Sequence, residues 1–151
     1  MTSQANSIFL SYSGENAFEA SLLQYAYETL LKDEGVRVWT YQRDQLKDER
    51  NISKSLRECV KESKATIFLV SPSTLDAGAT QWMELAYSDA FDVPTFVLLH
   101  RITYQELRSR EKGVPPLLLS GQCNKATEWK NLVSELRNCI SKNTREHRSS
   151  Q

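Results

Sequence analysis

The hexapeptide Ala65-Thr66-Ile67-Phe68-Leu69-Val70 has almost no polar interruption, and this run limits the folds open to the chain. A strand with one wet face alternates apolar and polar residues, whereas an unbroken branched and aromatic run fits a strand covered on both faces. Four more short segments read as strands: Ile8 to Tyr12, Val36 to Tyr41, Thr95 to His100 and Pro116 to Leu119. Between them apolar residues recur at helical spacing. Phe18, Leu22, Tyr25, Ala26 and Leu30 form one stripe after the capping-box pair Asn16 and Glu19, and Gly35 closes the segment. Ile52, Leu56, Cys59 and Val60 form the next. A third helix is expected from about Ala79 to Phe91 and a short one from Tyr104 to Arg110, while Trp129, Leu132, Val133, Leu136 and Ile140 mark the last. This alternation predicts an α/β fold, a doubly wound parallel sheet of five strands in the order 2-1-3-4-5 with helices on both faces.

A chain of 151 residues with 40% apolar content fits one domain, here residues 1–141, followed by a polar tail over 142–151 that is expected to fray. Nineteen Lys and Arg balance nineteen Asp and Glu. No net field then draws the chain to nucleic acid or to an anionic membrane surface. The longest nearly apolar run, Val93 to Leu99, is too short to span a bilayer, and Met1 onward lacks a secretory pattern, so the expected location is the cytoplasm. Three cysteines without a C-x-x-C pair, and only two histidines, argue against a disulfide framework or a metal site. Cys59 and Cys139 fall in phase with apolar stripes and read as small buried hydrophobes.

The predicted strand order places a switch point between the first and third strands, where ligands of such sheets bind beyond the carboxyl ends. Two segments would line that crevice, Ser11-Tyr12-Ser13-Gly14-Glu15-Asn16 and Ser71-Pro72-Ser73-Thr74-Leu75-Asp76. The first combines hydroxyls, a glycine and a helix start, which suits an anion but equally suits any tight turn. A phosphoacceptor receiver is excluded, because Asn6-Ser7 and Ser71-Pro72 stand where its aspartates belong. A flavin site matches Ser11, Ser13 and Gly14 only faintly, and no nucleophile elbow accompanies His100, which reads as an edge-of-core residue. On the third helix Gln81, Glu84 and Ser88 share one stripe, with Leu85, Ala86 and Ala90 expected toward the sheet. Glu84 is thus expected on the polar face near the crevice, and from spacing alone a solvated glutamate is the simpler reading.

Four segments, in order, resemble the Toll/interleukin-1 receptor (TIR) domains, and more closely their bacterial members. Ile8-Phe9-Leu10-Ser11-Tyr12-Ser13 resembles the family's first strand and loop, and Gly35-Val36-Arg37-Val38-Trp39 its second strand, with Leu46, Ile52 and Leu56 following. Phe68-Leu69-Val70-Ser71-Pro72 is similar to the strand ending in Ser-Pro, and Trp82-Met83-Glu84-Leu85 to the segment opening the next helix. The resemblance spans about residues 7–140 and implies a flavodoxin-like five-stranded sheet. The sequence departs from the family pattern where Trp82 stands two residues before the glutamate, where Tyr41 replaces an aspartate, and where Asp48-Glu49-Arg50 replaces a Pro-Gly pair.

The resemblance further implies an NAD-cleaving enzyme of bacterial defence, with Glu84 as the essential acid and NAD as substrate, needing no separate cofactor. Hydrolysis, cyclisation and conjugation of ADP-ribose are the product classes it allows. Ser11, Tyr12, Ser13 and Gly14 would meet the ribose or phosphates alongside Ser71, and Trp39, Tyr41 or Trp82 would offer a stacking face. Arg43, Asp44 and Leu46 lie in the segment that in this family mediates TIR-to-TIR packing, so self-association is expected, together with a separate sensor or effector protein. The alternative the resemblance leaves open is an adaptor, scaffold or host-mimicking effector that assembles without turnover.

Overall fold

The computed structural model describes residues 6–40, 57–77, 79–109 and 122–149. Its strands are β1 (Asn6–Ser11), β2 (Val36–Thr40), β3 (Ala65–Val70), β4 (Thr95–Leu99) and β5 (Gln122–Lys125). They form one all-parallel sheet in the order β2-β1-β3-β4-β5, the order expected from the alternating pattern. Its helices are α1 (Ala17–Leu30), the helical residues 57–62 (α2), α3 (Pro72–Ala77), α4 (Ala79–Ala90), α5 (Tyr104–Ser109) and α6 (Val133–Ser149), the last preceded by a 3₁₀ segment, Ala126–Leu132.

Every residue of β3 is buried, because the strand is flanked by β1 and β4 and covered on both faces. Its side chains alternate accordingly. Ala65, Ile67 and Leu69 join Ile8, Leu10, Phe96 and Leu98 in a cluster with Tyr27, Leu132 and Leu136. Phe68 and Val70 face the other way, with Val97, Leu99, Leu85 and Leu107. Phe9 points to that second face too, stacking on Trp39 of the neighbouring strand with ring centroids 5.2 Å apart, beside Val60 and Tyr87. Edge strand β2 is blunted by α1: Gln24 Nε2 donates to the Val38 carbonyl at 2.7 Å, and the Val38 N–H donates to Glu28 at 2.8 Å.

Helix α1 turns a different face inward from the one its apolar spacing predicts. Ala20, Leu23, Gln24 and Tyr27 are buried, with Leu31 just beyond, while Phe18, Leu22 and Tyr25 are 71%, 56% and 74% exposed. Two polar tips explain the outcome. Gln24 reaches the backbone of β2, and the Tyr27 hydroxyl donates to the Trp129 carbonyl at 2.7 Å, so both bury a long side chain with its polar end satisfied.

Two other expectations shift. The fifth strand is Gln122–Lys125, whereas the apolar run Pro116 to Leu119 lies outside the described residues. An edge strand pairs on one side only, so a polar segment suffices for it. Helix α6 continues to Ser149, past Lys142, where the sequence places a fraying tail. Among the described residues no helix is long and apolar enough to cross a membrane.

The rotation of α1 is directly measurable. Leu23→Ala is expected to cost about 2–4 kcal/mol in chemical denaturation and Leu22→Ala less than about 1 kcal/mol, since only the former opens a cavity. The reverse ranking would place the sequence-predicted stripe against the sheet.

Candidate functional site

Ser11 ends β1 and Val70 ends β3, so the turns that follow both strands emerge side by side at the switch point. The first turn is a 3₁₀ segment, Gly14–Asn16, running into α1; the second is the Ser71 turn that opens α3. Hydroxyls from both converge on one amide. Asn16 Oδ1 accepts from Ser71 at 2.6 Å, with the Ser13 and Ser73 hydroxyls at 3.1 Å and 3.2 Å, and the Ser73 hydroxyl is also within hydrogen-bond reach of Ser13 and Ser71, so the three hydroxyl protons are shared over the cluster. Thr74 Oγ1 accepts the Ser71 N–H at 3.1 Å, which closes the second turn on itself.

Asn16 therefore does not act as the capping residue its spacing to Glu19 predicts. It stands at the start of α1 with no side-chain cap hydrogen bond, its side chain turned to the serines, and Glu19 instead lies 3.8 Å from His100 Nε2. His100 sits half-buried at the end of β4, in keeping with an edge-of-core residue.

The acid on α4 faces the sheet, not solvent. Gln81, Glu84 and Ser88 are almost completely buried alongside Leu85, whereas Ala86 and Ala90, expected toward the sheet, are exposed. The spacing 81, 84, 85, 88 is one helical face, and its polar members have partners there. Gln81 Nε2 donates to the Leu69 carbonyl at 3.2 Å, and Ser88 Oγ donates to Thr66 Oγ1 and to the Glu84 carbonyl, both at 3.0 Å. Glu84 is only 2% exposed, and Ser11 Oγ donates to its Oε1. Burial pushes the Glu84 carboxyl up to about 8 from an ordinary 4.5, against the opposing pull of the Ser11 hydrogen bond.

From the sequence-predicted set the structure joins Ser11 to Glu84, and separately links Ser13 to Ser71 through Asn16 and Ser73. Gly14 is exposed in the adjoining turn, and Tyr12 packs toward the opposite face of the sheet, against the α1 cluster. Trp39 is engaged with Phe9, and Trp82 packs against the Phe68 and Val70 cluster. Tyr41, Arg43, Asp44 and Leu46 lie outside the described residues. Asn16, Ser73 and Gln81 were not singled out as site residues. The density of hydroxyls in Ser71-x-Ser73-Thr74 and the inclusion of Leu85 on the Gln81–Ser88 face are the signals that mark them.

An acid buried at the carboxyl end of a parallel sheet, beside one neutral hydroxyl, stabilises positive charge brought against it once it is ionised. Cavities of about 860 Å³, at the ends of β4 and β5, and of about 410 Å³, beside α1, are lined by other residues.

Residues 8–138 match the family model described as TIR domain. No curated protein sequence matches the chain. Among solved structures, a conserved protein from Enterococcus faecalis V583 superposes with a TM-score of 0.61 at 16% identity, covering 89% of this chain and 99% of that one. The TIR domains of the activated Roq1 resistosome, which directly recognises the pathogen effector XopQ, superpose with a TM-score of 0.54 at 17% identity, covering 91% and 82%. At these identities the likeness is one of fold.

The burial of Glu84 makes stability depend on pH. In the folded chain the acid keeps its proton up to about 8, whereas an exposed carboxyl loses it near 4.5. Its contribution is fully present below the lower value and is lost as pH rises through the upper one. Glu84→Gln, which cannot ionise, is expected to gain on the parent chain by roughly 2–4 kcal/mol between pH 5 and pH 9, read by urea denaturation. A difference that does not change with pH would mean that Glu84 is solvated in the folded chain.

Proposed function

This chain belongs to the TIR-domain family, and on that premise we propose that it cleaves the bond between nicotinamide and ribose in NAD, with Glu84 as the catalytic acid residue. The observation that carries the reading is the carboxyl of Glu84, buried at the switch point and hydrogen-bonded by Ser11. An ionisable side chain this deeply placed on a helix is costly as packing alone, since it is held there only by giving up its charge.

Nicotinamide in NAD is already a cationic leaving group, so its departure needs no proton donor, unlike the oxygen of an ordinary glycoside. One carboxylate then suffices. Ionised Glu84 balances the positive charge that spreads over the ribose ring as the bond lengthens. Ser11 fixes the orientation of that carboxylate, and Ser13 and Ser71, through Asn16, tie together the two turns that follow β1 and β3. Water, a substrate hydroxyl or a second acceptor then captures the ribosyl cation, which yields ADP-ribose, a cyclic isomer or a conjugate. In a bacterial cell such chemistry either depletes NAD or produces an immune signal in antiphage defence, in the cytoplasm and without a resident cofactor. Arg43, Asp44 and Leu46 belong to the segment proposed for TIR-to-TIR contacts, with a separate sensor or effector as a further partner.

A second reading, an adaptor that assembles without turnover, is favoured by one feature: the exposed apolar stripe of Phe18, Leu22 and Tyr25 on α1.

Chromatography of NAD incubated with concentrated protein separates the two. Nicotinamide release is expected, and Glu84→Ala is expected to lower its rate by about a hundredfold or more. No release from the assembled protein would leave the adaptor reading. Release is also expected to rise faster than linearly with protein concentration if neighbouring copies complete each site; strict proportionality, with a monomer in light scattering, would remove assembly from the mechanism.

A further inference from the structure

Leu99 ends β4 and Lys125 ends β5, paired side by side at the carboxyl edge of the sheet, and the cavity of about 860 Å³ lies beyond them. Neither Glu84 nor the serines and Asn16 of the switch point line it. Its volume is that of a small-molecule site, and its walls are largely apolar, with Leu99, Ile102, Cys123 and Ala126 among them. Burial pushes the Cys123 thiol up, so the thiol meets the cavity uncharged. The carboxyl edge of a parallel sheet is also where ligands of such folds are held.

The turns that frame this cavity satisfy their own polar groups. The His100 N–H donates to the Val70 carbonyl at 2.8 Å, and the His100 ring lies 3.8 Å from Glu19. After β4, Thr103 and Glu106 cap α5 reciprocally: the Glu106 N–H donates to Thr103 Oγ1 at 3.1 Å and the Thr103 N–H to Glu106 Oε1 at 3.2 Å. After β5, the Lys125 N–H donates to Glu128 Oε1 at 3.4 Å. Both acids of the cavity are thus committed to backbone N–H groups. Two lining groups are left over. Asn124 Nδ2 is buried with no hydrogen-bond partner, and the exposed Arg101 takes part in no ion pair among the described residues. Arg101 also holds a left-handed φ of 61°, which side chains other than glycine adopt at a cost, so the turn keeps a cation where glycine would sit more easily.

We propose that this cavity binds a small carboxylate with an aromatic or similarly apolar body, its carboxylate taken by Asn124 Nδ2 and Arg101 and its body by the walls around Leu99, Ile102 and Cys123. A buried amide donor without a partner forfeits the hydrogen bond it makes to water in the unfolded chain, and a ligand oxygen restores it. The terminal torsion of an amide is soft, so Nδ2 turns to such an oxygen without moving β5. Both leftover groups donate, and the ligand end that matches them only accepts; a carboxylate does so and also answers the charge of Arg101. Charge limits the class further. Arg101 and Lys125 are balanced by Glu106 and Glu128 along the lining, which suits one negative charge and disfavours a phosphate carrying two. The proposal is independent of the NAD reading and applies equally to an adaptor.

Two-dimensional ¹H–¹⁵N NMR on the full chain tests this with two probes of one shape, 2-naphthoate and its uncharged amide. The carboxylate is expected to bind with a dissociation constant of about 1 mM or tighter. It should shift the backbone signals of Leu99 to Thr103 and Asn124 to Glu128, together with the side-chain NH₂ pair of Asn124, and leave those of Ser11 to Asn16 in place. The amide is expected to bind roughly 2–5-fold more weakly, and Arg101→Ala should bring the carboxylate down by a similar factor. Asn124→Leu, close to the parent in volume, is expected to weaken the carboxylate about fivefold or more while its urea midpoint stays level or rises, because no hydrogen bond of the free protein is lost. A falling midpoint would assign the amide a structural role and overturn the proposal. Equal response to both probes, or no shift around the cavity at millimolar carboxylate, would overturn it on the parent chain alone and leave the NAD reading untouched.

Discussion

Strand β3 can exist only if it is dry on both faces, and the rest of the domain is arranged to meet that demand. Six consecutive buried residues leave no side of the strand for water. Parallel neighbours take its backbone groups, and each neighbour then needs a return path across the sheet, which only a helix of suitable length provides. The alternation of Ile67 and Leu69 toward one helical layer and Phe68 and Val70 toward the other fixes which helices cover which face. The switch point between β1 and β3 is a by-product of that arrangement, since the chain must leave β3 on the side opposite to the one it used beside β1.

Where the polar residues go follows from the same dryness. Helix α4 lays Gln81, Glu84 and Ser88 on the sheet, and two of these find partners on β3, at Leu69 and Thr66. Buried polar groups are tolerated when paired, and these two pin the helix to one rotational setting. Glu84, between them, accepts from Ser11 of β1 and makes no ion pair among the described residues. On this helix Gln81 Oε1 is buried with no hydrogen-bond partner among the described residues.

The elements legible in the sequence were those whose pattern has one physical cause. The run Ala65–Val70 announced its own environment, and strands and helices in alternation led to the strand order now seen. Faces were harder to read. A stripe count treats Gln24 as polar and so favours the phase of Leu22 and Tyr25 over that of Leu23 and Tyr27, yet a long side chain whose tip meets a backbone carbonyl buries as well as leucine does. The same blindness turned α4 outward: Gln81 and Ser88 look solvent-seeking until Leu69 and Thr66 are brought to them by the fold. Glu84 was singled out from its motif, and its burial could not be anticipated from helical spacing. Nor could the side chain of Asn16, two of whose partners lie 55 and 57 positions further along the chain.

That displaced amide has a consequence for anyone engineering the domain. Asn16 gives up the cap of α1 to tie the two crevice turns together, so the helix start is less secure than its sequence permits. A search for thermostable variants would be rewarded for repairing that helix start, and in doing so would sever the knot between the two turns. Heat resistance and a well-ordered crevice are here competing claims on one side chain, and selection for the first alone would erode the second without disturbing the fold.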